Sequence, residues 1–398
     1  MVVASRIEET TTMLNPRYLA DQPEDVGIDP GKLEELLTRV RKEVDDGLLP
    51  ACQVAIARNG RLAAFETFGD ANNGSLFNVF SCTKAISSAA GWLLIQEGLL
   101  DVEEKVADII PEFATNGKEA VTVEQLFTHT AGFPNAPFRA TDWFDQDKRL
   151  QRFASWRLDW EPGSRYEYHP TSSMWVLAEI IERRSDVFFA VFVRERIIEP
   201  LGLSNLFVGC PDAEHSRIKP VIHVGEPMTE ADWAELGLPV PPVTEVTPEA
   251  LQSFNETEMR RVPVPGGGGI MTAADLALFY QALLNDGRLD DGPQIWTPET
   301  LTYALEVRHD LPDAAGVPAH RALGLVIAGD KQRNQRGFGH TNSEHAFGHG
   351  GAGGQIAWAD PVTGISLGYC TNGHDANAIR QARRGVGISS RAAACALG

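Results

Sequence analysis

The sequence is short of three things, and each shortage excludes something. Its 398 residues hold five cysteines, Cys52, Cys82, Cys210, Cys370 and Cys395. They are odd in number, scattered and never spaced as CxxC, which argues against a disulfide framework and against a cysteine zinc site. Positive charge is scarce: 35 Lys and Arg face 54 Asp and Glu, for a net charge of −19. Without any Lys/Arg run, that balance argues against nucleic acid and anionic membrane surfaces as partners. No apolar run approaches the ~18–20 residues that span a bilayer, and the first ten residues lack a basic segment leading into a long apolar one. The expectation is a cytoplasmic, globular enzyme; composition says nothing of its oligomeric state.

What is there suits a sizeable core. Hydrophobic residues make up 43%, and the length allows two domains or one large domain with insertions. Residues 1–30 read as an irregular arm. From Gly31 to about Asp46, Leu33, Leu36, Leu37 and Val40 mark an amphipathic helix. Cys52–Arg58 and Arg61–Phe68 then flank Asn59-Gly60, a strong hairpin signal. A second hairpin is expected from Gly354–Asp360 and Ile365–Asn372 around the Pro361–Gly364 turn. Between them the pattern is mainly helical, with one helix read from Trp175 to Val193, and a Pro-rich, acidic stretch over 228–247 reads as a lid-like excursion. Strands at both ends and helices between suggest one sheet assembled from both ends of the chain.

The most unusual stretch is Leu76–Gln96. Between Asp70 and Glu97 its only charged residue is Lys84. Ile86, Ala89, Ala90, Leu93 and Leu94 recur at helical spacing, the other faces carry Ser, Ala, Gly and Trp, and Gly98 offers a stop. Such a helix looks enclosed, and burying an ammonium disfavours its charged form. Ser81 stands three residues earlier, on the same side. A desolvated lysine can take a serine's proton and make it a nucleophile. The same short pattern also suits a serine N-cap followed by an ordinary surface lysine.

Two further segments could complete a site. Glu161–Pro170 is a Pro-Gly turn carrying Tyr168, which could act as acid or base beside a lysine, or simply pack on a loop. Phe347–Gly354 contains His349, Gly350, Gly351 and Ala352; its glycines could expose backbone N–H groups for an oxyanion, or serve tight turns alone.

Together these segments resemble the serine β-lactamase and penicillin-binding-protein superfamily, and within it the family VIII carboxylesterases and class C β-lactamases. Ser81-Cys82-Thr83-Lys84 matches the S-x-x-K motif. Tyr168 falls where relatives carry the tyrosine of Y-x-N, and His349-Gly350-Gly351 where they carry K-T-G, H-T-G or W-G-G. Leu126–Gly132 resembles the LLTHTSG block, and Pro265–Leu276 the GGLxSTAxDLARF block.

The resemblance implies an α/β (α+β) fold with an antiparallel sheet flanked by helices, drawn from 31–100 and 311–398, and a mainly helical domain over 101–310. It implies Ser81, Lys84 and Tyr168 as catalytic residues, the backbone N–H groups of Ser81 and Ala352 as oxyanion hole, and His349, Gly350 and Gly351 at the substrate. No cofactor or metal is implied. Two departures stand out: Pro170 replaces the asparagine of Y-x-N, and His349 replaces the lysine of K-T-G. Both point away from β-lactam hydrolysis and toward small neutral esters. A β-lactamase, a D-amino-acid peptidase or another amide hydrolase is the alternative, and a non-catalytic binding protein on the same scaffold a third reading.

Two competing motifs can be weighed from sequence. Gly364–Gly368 fits the G-x-S-x-G of α/β-hydrolases, but Ser366 is expected mid-strand, where that motif does not work. His340, Glu344, His345 and His349 lie close together without an HExxH spacing, so a polar, glycine-rich loop explains them better than a metal site.

Overall fold

The computed structural model describes residues 14–237, 240 and 246–397. Part of the excursion read over 228–247 and most of the arm's first half lie outside these. Within the excursion a short helix, Glu230–Glu235, is capped by Thr229.

Both hairpins form. β1 (Ala51–Arg58) turns through Asn59-Gly60 into β2 (Arg61–Gly69), with Asn59 and Gly60 both at positive φ, as a tight hairpin turn requires. β3 (Val326–Ile327), β4 (Phe347–Gly348), β5 (Ile356–Asp360) and β6 (Ile365–Thr371) complete a six-stranded sheet in the order β2-β1-β6-β5-β4-β3. Every neighbouring pair is antiparallel, so strands from both ends of the chain meet at β1–β6.

Six helices frame that sheet and the site: α1 (Pro30–Asp45), α2 (Thr83–Gln96), α3 (Val123–Thr128), α4 (Ser172–Ser185), α5 (Ala273–Leu284) and α6 (Ala378–Ala393). Alternation along β1 sorts its side chains into two cores. Cys52, Val54 and Ile56 join α1 and α6 residues such as Leu36, Val40 and Ile388 on the outer face. Ala55 and Ala57 face the larger core that contains α2 and α5. Small residues on that inner face let α5 lie close: a Cβ on Gly368 would sit 2.3 Å from Ala273 O. The helix α5 comes from within the stretch 101–310, so one of its segments covers the sheet directly.

The helical pattern read as continuous from Trp175 to Val193 is broken. α4 ends at Asp186 in the left-handed conformation, and a new helix starts at Phe189. Among the described residues, no helix is long and apolar enough to cross a membrane.

Candidate active site

The three segments singled out by sequence converge. A small antiparallel sheet begins the assembly: Phe77–Asn78 pairs with Gly269–Met271, and Val79 N–H donates to Gly269 O at 3.0 Å. The chain then turns through Phe80, whose φ of +46° is a strained value for a bulky residue, costing about 1–3 kcal/mol. The ring of Phe80, packed edge-on against Phe254 and His374, and the Thr83 hydroxyl donating to its carbonyl hold that turn. Phe80–Cys82 is a single 3-10 turn running straight into α2. Ser81 is half-buried at this corner, between sheet and helix.

Lys84, one turn further, is fully buried. Its Nζ donates to Ser81 Oγ at 3.1 Å, to Pro170 O at 2.6 Å and to Gly266 O at 2.8 Å. Pro170 occupies the asparagine position of Y-x-N, and what it supplies is this carbonyl. Gly266 has to be glycine: a Cβ there would lie 2.9 Å from Pro170 O and 3.4 Å from Lys84 Nζ. The glycine-rich Pro265–Gly269 turn is therefore part of the lysine's cradle.

Tyr168 Oη and Ser81 Oγ lie within hydrogen-bond distance at 2.9 Å, and the tyrosine ring lies 5.0 Å from Lys84 Nζ. Its loop is clamped from beneath by His129, the left-handed C-cap of α3. His129 O accepts from Glu167 N–H at 3.3 Å, and His129 Nδ1 accepts from His169 N–H at 3.2 Å. Accepting through Nδ1 leaves the ring proton on Nε2. Complete burial, helped by the nearby Arg321 charge, pushes the His129 pKa well below the ordinary range, so the ring stays neutral. His169 makes a second neutral bridge, with Nδ1–H donating to Glu167 O at 2.6 Å and Nε2 accepting from Phe133 N–H at 3.2 Å. Burial lowers its pKa to about 3.

His349 faces the same tyrosine, with ring centroids 5.9 Å apart. Its Nδ1–H donates to Gly350 O at 2.7 Å, which leaves a lone pair on Nε2. Burial first, then the Arg321 and Lys84 charges, hold its pKa well below normal. The position that carries a lysine in K-T-G relatives is thus uncharged. The loop after it is shaped by glycine: a Cβ on Gly351 would lie 2.2 Å from Val79 O, so the loop presses against the turn that presents Ser81. Gly351 and Gln355 close it by exchanging backbone bonds at 3.0 and 3.2 Å, with Gly353 and Gly354 at positive φ between them. Among the described residues, Ala352 N–H has no hydrogen-bond partner.

Arg321 escaped the sequence reading. It is 93% buried (7% exposed), and its guanidinium carbon sits 5.4 Å from the ring centroids of both Tyr166 and Tyr168. It lies in an irregular loop with no periodic or motif signal, so only the folded chain reveals it. Phe80 and Gly266 were likewise inside segments that sequence singled out, without their roles being legible.

The competing motifs separate from this site. Ser366 is fully buried mid-strand in β6, donating to Ala277 O at 2.7 Å and accepting from Gln281 Nε2 at 3.0 Å. His340, Glu344 and His345 are exposed while His349 is buried, and among the described residues no group of three or more His, Cys, Asp or Glu side chains is gathered to hold a metal.

Known proteins resemble this chain in sequence and in fold. The esterase/beta-lactamase LipL of Mycobacterium tuberculosis is 26% identical over 310 residues, 74% of this chain and 68% of LipL. The crystal structure of a penicillin-binding protein homologue from Caulobacter crescentus superposes with a TM-score of 0.76 at 29% identity, over 93% of this chain and 99% of that one. A family VIII carboxylesterase structure superposes with a TM-score of 0.74 at 26% identity, over 92% and 99%. The beta-lactamase family model matches residues 37–388, which is most of the chain. The protein therefore belongs to the beta-lactamase family, within the serine β-lactamase and penicillin-binding-protein superfamily.

Proposed function

We propose that the protein is a serine hydrolase that cleaves small or short-chain carboxylic esters through an acyl-enzyme. The observation that carries this reading is the convergence on Ser81 Oγ of Lys84 Nζ at 3.1 Å and Tyr168 Oη at 2.9 Å. Both lie within the reach that proton transfer needs. Ser81 Oγ attacks the ester carbonyl while Lys84 and Tyr168 relay its proton. The N–H groups of Ser81 and Ala352 receive the oxyanion, which rests on the unpartnered state of the Ala352 N–H. Tyr168 protonates the departing alkoxide and then helps activate the water that hydrolyses the acyl-enzyme.

Neutral esters are favoured over β-lactams by what surrounds the serine. His349 is uncharged where K-T-G relatives place a lysine, and Pro170 offers no side-chain amide. Esterase and carboxylesterase relatives on this fold support the same reading.

The test is parallel kinetics with a p-nitrophenyl short-chain ester, a chromogenic cephalosporin and a D-amino-acid amide. The ester is expected to be turned over best. Ser81→Ala should abolish turnover and fluorophosphonate labelling, whereas Ser366→Ala keeps both. Near-wild-type hydrolysis by Ser81→Ala removes the mechanism, and preference for the cephalosporin or amide moves the protein to the alternative class.

A further inference from the structure

The buried arginines of this chain follow one rule, and Arg321 breaks it. Arg149 is 6% exposed and pairs with Glu179 at 2.7 Å and Glu182 at 2.5 Å. Arg384 is 1% exposed and pairs with Asp375 at 2.6 Å. Arg321 is as deeply buried, yet among the described residues no carboxylate lies within ion-pairing distance of it. Its Nε and Nη2 donate to Tyr166 Oη at 3.2 and 2.7 Å, and its Nη1 has no partner among the described residues. A buried guanidinium without a counter-charge costs several kcal/mol of desolvation. Keeping it makes sense if an anion is present during the reaction.

The groups around it narrow the choice of anion. Tyr168 is faced by Lys84 from α2, by His129 from the cap of α3, by His349 from the glycine loop and by Arg321, with Ser81 at its hydroxyl. On its own strand of chain, Glu167 is taken up by Arg165 at 2.5 Å. Both histidines are neutral through the hydrogen bonds they make, so the tyrosine faces two cations. Tyr166 packs against the rings of His129 at 6.5 Å and His309 at 5.6 Å, faces the Arg321 cation, and uses its oxygen to accept from it. The acidic hydrogen best placed to leave a charge between two cations is that of Tyr168.

We propose that Arg321 is a positioning residue of this site: with Lys84 it holds Tyr168 as the phenolate that deprotonates Ser81, supplying the cation that His349 does not. This rests on the ester-hydrolase reading above. As the Ser81 Oγ–carbon bond forms, the phenolate takes the serine proton and the carbonyl π pair moves onto oxygen. When the tetrahedral adduct collapses, the ester C–O bond breaks, the phenol returns that proton to the alkoxide, and the phenolate is restored. Charge balances at each stage without any further reactant.

The test is the pH dependence of kcat/KM for a neutral p-nitrophenyl ester, which reports the free enzyme's groups. An opposite charge within about 4–6 Å moves a pKa by roughly 1–3. Arg321→Gln keeps a donor for Tyr166 but loses the charge, so its acid limb should move up by about one pH unit or more, with the rate recovering at higher pH. Arg321→Lys keeps the charge and should hold the limb near the wild-type position. An unmoved limb in Arg321→Gln, or equal behaviour of the Gln and Lys variants, overturns the proposal. If the glutamine variant does not fold, Tyr166→Phe, which removes the hydroxyl fixing the guanidinium, should move the limb the same way by less; no movement there overturns it equally. Fluorophosphonate labelling of wild-type Ser81 is measured alongside. Absence of labelling sinks the ester reading itself, whereas normal labelling with an unmoved limb sinks only the role of Arg321.

Discussion

Acid should destabilise this protein well before its carboxylates titrate, and His374 makes the effect measurable. The ring is 3% exposed, packed edge-on against Phe80 at 5.0 Å and His223 at 5.7 Å, and neither ring nitrogen has a partner among the described residues. Burial, with the neighbouring His223 adding to it, lowers its pKa to about 3. The unfolded chain binds a proton at this residue near ~6.5 while the native state does not, so stability falls as pH falls below that point. At pH 5 the unfolded state has gained about 1.5 pH units of protonation, worth about 2 kcal/mol at 1.36 kcal/mol per unit. The figure barely depends on the native value, because pH 5 lies well above it. His169, lowered to about 3, adds a similar amount, so the two together remove about 4 kcal/mol. His129 and His349 act in the same direction. Against a typical stability of about 5–15 kcal/mol this is a large loss. The assay is urea unfolding followed by tryptophan fluorescence at pH 8, 7, 6 and 5, for the wild type and for His374→Phe, which keeps an aromatic ring against Phe80. The absolute stability of the variant depends on how the larger ring fits, but its loss between pH 8 and pH 5 should be smaller than the wild type's by about 2 kcal/mol. Equal losses in the two proteins would refute the reasoning.

Gly266→Ala places a methyl 2.9 Å from Pro170 O and 3.2 Å from Thr171 Cα, prising apart the carbonyls that hold Lys84. It should cost about 1–3 kcal/mol in the unfolding midpoint and lower kcat for ester hydrolysis by up to about 10²-fold, as a displaced catalytic group does. Asp375→Asn removes the carboxylate that Arg380 and Arg384 share at 2.6 Å, leaving Arg384 buried with only Glu43 at 3.6 Å. Urea unfolding at pH 7 should show a loss of about 3–5 kcal/mol. The Asp375 pKa is lowered by those arginines against an opposing burial effect, so its contribution disappears on acidification and the variant's deficit should shrink at low pH.

How much of this was legible from sequence follows the range of the signal. The Asn59-Gly60 hairpin and the charge-poor helix around Lys84 are local patterns, and each formed where it was read. So did the meeting of Ser81, Lys84 and Tyr168, because each sits in a motif whose spacing carries chemistry. Arg321 could not be read that way, since its meaning lies in what it lacks: a carboxylate that its buried counterparts Arg149 and Arg384 have. The helix read through to Val193 failed for a local reason, the left-handed Asp186 that ends α4. Apolar periodicity continues across that break, so pattern alone carried the helix too far.

The acid weakness and the active site share one cause. His129 and His169 hold the Tyr168 loop by accepting backbone N–H groups through ring lone pairs, at 3.2 Å in each case. Protonating either ring would turn an acceptor into a donor facing another donor, so the loop stays clamped only while both are neutral. Burial enforces that neutrality and thereby keeps Tyr168 at Ser81, at the expense of stability once the unfolded histidines begin to charge. The native His169 ring resists protonation down to about pH 3. A rate loss accompanied by unfolding in acid solution therefore reports the histidines, and a loss without unfolding reports the groups at Ser81.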